Sequence, residues 1–120
     1  MKYDLEERAA RFGENIIDFV KTLEKNEINK PLITQIIRSA TSIGANYMEA
    51  NQASSKKDFK NKINISRKEA NETKHWIRMI ARANPDKNNI CKKLWQESHE
   101  LTLIFAKIAK NCIEKLRFKN

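Results

Sequence analysis

Apolar residues recur along the chain at steps of three and four, and the stripes they draw predict helices throughout. Leu5, Ala9, Phe12, Ile16, Phe19 and Leu23 form one apolar side of a first helix whose remaining circumference is charged. That helix is expected to end near "KNEINK", residues 25–30. Pro31 then stands in a first turn, where no backbone N–H is required. Ile33, Ile36, Ile37, Ala40, Ile43, Tyr47 and Ala50 mark the apolar side of a second helix. A break at "NQASSKKD" lets Ser54 or Ser55 cap a third helix through Phe59, Ile63, Ser66, Ala70, Ile77 and Ile80. Asn84 and Pro85 stop it, because the residue before a proline is pushed out of the helical region. Asp86 is the best available cap for a last helix through Leu94, Leu101, Phe105, Ile108, Cys112 and Leu116. No stretch alternates with period two. The fold class is therefore all-α, an antiparallel up-down-up-down four-helix bundle in one domain over residues 1–120.

The last helix carries more apolar surface than such a bundle needs. Leu94, Trp95, Leu101, Thr102, Ile104, Phe105, Ala106, Ile108, Ala109, Cys112, Ile113 and Leu116 cover roughly 200° of its circumference, against about 100° for a helix with one wet side. Ile65 and Trp76 likewise point away from the main stripe of the third helix. A contiguous extra apolar face marks an interface, so a homo-oligomer is expected.

Charge changes the picture, because it is unevenly placed. The net charge is +9. Residues 1–30 carry net −1, residues 31–54 net 0, residues 55–84 net +6 and residues 85–120 net +4. On the third helix Lys56, Lys60, Arg67, Lys74 and Arg78 fall within about 40° of one another, a stripe ~33 Å long that could follow a phosphate backbone. Helical Lys and Arg also serve solubility alone, so a solvated face is the plainer alternative. The N-terminus has acids where a signal peptide needs an apolar run, and no segment approaches the roughly 20 apolar residues of a membrane span. A soluble, cytoplasmic protein without membrane or small-molecule partners is expected. Cys91 and Cys112, about 31 Å apart along one helix, cannot bridge each other and read as reduced thiols.

Candidate catalytic and metal sites fail on spacing. Glu72 and His75 have the i, i+3 spacing of a di-metal bundle pair, but the only echo is Gln96 and His99, with an amide where a ligand belongs. An Arg–His pair poised over a phosphodiester would need closer spacing than Arg67 and His75 show. There is no Gly-rich phosphate loop. The chain is expected to have no catalytic residue, no metal and no cofactor.

The second helix is nearly free of charge: from Pro31 to Ser55 the ionisable residues are Arg38 and Glu49. Gln35, Arg38, Ser42, Asn46 and Glu49 nevertheless form a narrow polar seam opposite Ile36, Ile43 and Tyr47. Small neighbours allow close helix approach, so the seam is expected to be poorly hydrated and structural, with Glu72 a candidate partner for Arg38. A wet, solvent-facing seam is the alternative.

"RSATSIGANYMEA", followed by "KKDFKNKINISRKEANETKHWI", resembles the signature of the four-helix-bundle family encoded within intervening sequences of bacterial 23S ribosomal RNA genes, the S23 ribosomal protein family. Arg38, Ala40, Ser42, Ile43, Ala45, Asn46, Glu49, Phe59 and Glu72 match its pattern. Ala50, Ser66, Glu69, Ala70 and Thr73 depart from it, so the third-helix half is looser. The resemblance implies a bundle that assembles as a homopentamer, similar to the basic nucleic-acid-binding accessory protein of diversity-generating retroelements. It implies no enzymatic activity. Two functions stay open: a ring-forming protein that binds RNA or DNA through the third-helix stripe, and a protein-interaction scaffold whose charge confers only solubility.

Overall fold

In a computed structural model the chain forms α1 (Lys2–Lys21), α2 (Asn29–Asn51), α3 (Lys56–Ala83) and α4 (Asn88–Lys119). The structure describes the backbone of residues 2–119 and the side chains of residues 5–112. Among these there is no β-strand. The helices follow one another around an elongated bundle of 54 × 24 × 20 Å. Consecutive helices make the extensive contacts, while α1 and α4 meet only locally.

The periodic stripes become the core. Phe12, Ile16, Ile36, Ile43, Ile63, Ile77, Ile80, Leu101 and Phe105 are buried in one cluster, and Tyr47 meets Phe105 edge to face with ring centroids 5.5 Å apart. Burying side chains of this size stabilises by about 1.5–3 kcal/mol each before conformational entropy is subtracted. Small residues between them bring helix backbones close, and buried hydroxyls fill the resulting contacts. Ser39 and Thr73 share a hydrogen bond of 2.8 Å. Ser66 donates to the Ile43 carbonyl at 2.9 Å and Ser98 to that of Ala70 at 2.7 Å, so α2, α3 and α4 are stitched by polar groups that leave no partner unmet.

The helix ends are set as their residues dictate, with two differences. Ser55 is the N-cap of α3, its hydroxyl accepting from the Asp58 N–H at 3.0 Å. Ala83 ends α3 before Asn84 and Pro85. α1 stops at Lys21, before Lys25, although Leu23 still packs into the core from the turn that follows. Asp86 is not the cap of the last helix: it lies within a 3₁₀ turn, Pro85–Lys87, because Pro85 starts that turn and α4 begins only at Asn88. At this end the buried Asn29 exchanges amide hydrogen bonds of 3.0 and 2.9 Å with Asn84, tying the start of α2 to the end of α3.

The wide apolar arc of α4 divides on folding. Leu94, Leu101, Phe105 and Ala109 enter the chain's own core, and Ile108 packs against it. Thr102, Ile104, Ala106 and Cys112 are half-buried, whereas Trp95 is exposed. Leu103, outside the arc, is 56 % exposed. The side chains of Ile113 and Leu116 lie outside the described residues. Trp76 does not point freely outward: it packs against the core, and its indole N–H donates to Glu72 at 2.8 Å.

Candidate nucleic-acid interface

Two long faces flank α3, and the ionic chemistry differs between them. On the α2 side, Arg38 donates to Glu69 at 2.9 Å and to the same Glu72 oxygen that accepts from Trp76. The Trp76 N–H first, and the guanidinium with it, hold the Glu72 carboxyl below its ordinary value; Glu72 chiefly, then Glu69, raises that of Arg38. Farther along the groove, Lys62 pairs with Glu49 at 2.8 Å. Within the seam, Ser42 donates to the Arg38 carbonyl at 2.7 Å and Asn46 to the Ser42 carbonyl at 2.9 Å, so both bond back along their own helix.

The expectation of a dry seam is corrected here. Arg38 and Glu49 are exposed and Gln35 faces solvent, because the seam lies along the outer mouth of the α2–α3 groove rather than between packed backbones. Only Glu69, with 15 % of its side chain exposed, is nearly enclosed.

The other face joins α3 to α4. Lys74 Nζ lies 3.0 Å from His99 Nδ1 and 5.2 Å from the centre of the Trp95 ring, which anchors the basic stripe of α3 beside α4. His99 stacks on Trp95 with centroids 5.0 Å apart and planes 17° from parallel. On α4, Lys92, Trp95, His99, Leu103 and Lys110 share an arc of about 80°. The stripe is not uniformly solvent-facing, as its charge alone suggested. Lys56 and Arg78 are exposed, while Lys60, Arg67 and Lys74 are half-buried, Lys74 because it lies against Trp95 and His99 of α4.

The carboxylates of α3 explain the asymmetry. Glu69 and Glu72 sit on the α2 side with Arg38, and Asp58 follows the same side of the helix. Among the described residues, Lys60, Arg67, Lys74 and Arg78 take part in no ion pair, in contrast to Arg38 and Lys62. The acids of α4 among the described side chains are turned elsewhere as well: Glu97 and Glu100 both bind Arg8 of α1, at 2.7 and 2.8 Å. Sequence spacing placed the five basic residues on one face but missed Trp95 and His99 as part of it. The i, i+4 relation of those two residues on α4 was the available signal.

A family model described as the 23S rRNA-intervening sequence protein matches residues 1–107. The chain belongs to this family. The crystal structure of a protein with unknown function from the S23 ribosomal protein family of Bacteroides thetaiotaomicron is 35% identical, covering 92% of this chain and 99% of that one, with a TM-score of 0.83. No curated protein matches the chain. Neither description attaches a reaction to this 23S rRNA-intervening sequence family member. Most of its family-signature residues fall into two groups in space: Ala40 and Ile43 are in the core, whereas Arg38, Ser42, Asn46, Glu49 and Glu72 line the α2–α3 groove. Ala45 is exposed on the α1 side of α2, and Phe59 packs against the core beside Lys56 and Cys112. No helix among the described residues is long and apolar enough to cross a membrane.

Proposed function

We propose that this chain is a non-enzymatic, self-associating bundle that binds RNA or DNA through the α3–α4 face. The observation that carries the reading is the segregation of charge around α3. Its acids are drawn to the α2 side, which leaves Lys60, Arg67, Lys74 and Arg78 without carboxylate partners along one edge. Lys56 extends that edge, and Lys92 and Lys110 add exposed cations from α4. Counter-ions held near such a face are released when a phosphate backbone replaces them, which favours binding at low salt. A family named for an intervening sequence in 23S rRNA is compatible with an RNA ligand.

Self-association is supported by apolar surface that the monomer leaves open away from the basic face, Met48 at 54 % and Ile90 at 44 % exposure. The resemblance noted from the sequence makes five the subunit count to test. Assembly would repeat the basic face and let weak single contacts add. The test is a titration of structured RNA and duplex DNA across a salt series, with mass measured by light scattering. Affinity that falls steeply with salt, from a particle larger than one chain, supports the proposal. Binding of partner proteins with no salt-dependent nucleic-acid affinity would favour the scaffold alternative.

A further inference from the structure

The α3–α4 face holds an aromatic group whose geometry narrows the class of ligand. A lysine ammonium can only donate, so in this contact His99 Nδ1 is the acceptor from Lys74. A hydrogen bond to Nδ1 lies in the imidazole plane, and that plane is only 17° from the indole. Lys74 Nζ and His99 therefore stand on the same side of Trp95. These are the cation and the ring that pack on the indole among the described residues. Trp95 is nevertheless 38 % exposed, on a face it shares with Lys92, Leu103 and Lys110. Lys92 stands one turn before it on α4. Because α3 runs antiparallel to α4, the turn of α3 after Lys74 brings Arg78 toward the same place.

We infer that the open indole face of Trp95 stacks an unpaired nucleobase while Lys74, Arg78 and Lys92 meet the flanking phosphates, so the ligand is single-stranded polynucleotide. This rests on the proposal that the α3–α4 face binds nucleic acid. His99 braces the ring from behind, which keeps its plane set before the base arrives. A base inside a duplex offers no free face to such a platform, whereas every unpaired base does, whatever its identity.

The second tryptophan, Trp76, lies in the opposite groove, so Trp76→Phe leaves Trp95 as the only indole reporter. That variant is titrated at low salt with oligothymidylate, with a blunt duplex of equal phosphate content and with inorganic polyphosphate. Oligothymidylate is expected to quench the emission and polyphosphate to bind without quenching. In the otherwise unaltered chain, Trp95→Leu should weaken oligothymidylate binding roughly 5- to 100-fold while leaving polyphosphate binding unchanged. Tight oligothymidylate binding without quenching, unaffected by Trp95→Leu, would overturn the stacking site and leave the phosphate-binding face standing. Failure to bind any of the probes would overturn both. If Trp95→Leu does not fold, the quenching comparison decides alone. A Trp95 emission that shifts with protein concentration and ignores oligothymidylate assigns the ring to self-association and refutes the inference.

Discussion

The two faces of α3 have the same raw material and opposite electrostatics. On the α2 side Arg38 and Lys62 meet carboxylates, and the Arg38, Glu69, Glu72 and Trp76 groups close a hydrogen-bonded set. On the α4 side, Lys60, Arg67 and Arg78 meet none, and Lys74 meets only aromatic rings and an imidazole nitrogen. A charge paired within the chain holds helices in register; a charge without an internal partner adds only self-repulsion to the fold. The polar family-signature residues lie on the paired side, and the proposed binding face lies on the other. The fold and the proposed binding can therefore be perturbed separately.

The largest expected effect is on binding. Lys60→Glu with Arg67→Glu removes two phosphate contacts, which on a single strand should flatten the salt slope by about 1.4 and weaken binding roughly 25-fold at ~0.1 M salt. Helicity should stay unchanged, since neither residue has an internal ionic partner, and the melting temperature should fall only by what the packing of the two half-buried stems contributes. Equal affinity of variant and wild type in the salt titration would make this face an ordinary solvated surface.

Arg38→Ala should do the reverse. It leaves Glu69, which is nearly enclosed, beside Glu72 with no cation between them, at about 1 kcal/mol for a half-exposed arginine. That amounts to about 4 °C in melting temperature for a domain of this size, with nucleic-acid affinity unaltered. An unchanged melting curve together with lost binding would move the ligand site to the α2–α3 groove and break the comparison.

A smaller effect distinguishes the faces by pH. The Glu72 carboxyl is held below its ordinary value of 4.5, so the folded form binds its proton less readily than the unfolded chain does. Its contribution is present above that ordinary value and is lost as pH falls through the lower, folded one. Trp76→Phe removes the largest cause of the depression. The variant should lose less stability than wild type between neutral pH and acid, measured by thermal melts across the series. An identical acid slope would show that the indole bond does not set the Glu72 proton affinity.

Much of this molecule was legible in one dimension. Apolar spacing named the core of each helix, and Ser55 and the Asn84–Pro85 pair placed the ends of α3, because capping and proline geometry act within a few residues. Asp86 was misplaced for a related reason: an acid near a helix start reads as a cap whether or not the preceding proline has already begun a 3₁₀ turn. The five cations of α3 could be put on one face by helical arithmetic alone. Their state of pairing could not, since it depended on where the acids of α4 came to lie, and Glu97 and Glu100 bind Arg8 of α1 instead.

What the chain determined by itself is what short-range chemistry controls: helix extents, the apolar stripe of each, and the position of charge around each axis. Only packing decided which stripe edges became neighbours. The dry seam proved to be a solvent-lined groove because α2 turns Arg38 outward to two carboxylates. Lys74 came to lie against Trp95 and His99 because α3 and α4 are antiparallel at one register, which brings residues 25 positions apart to 3.0 Å. Pairing and stacking depend on distances between helices, and those follow from how the buried side chains interlock.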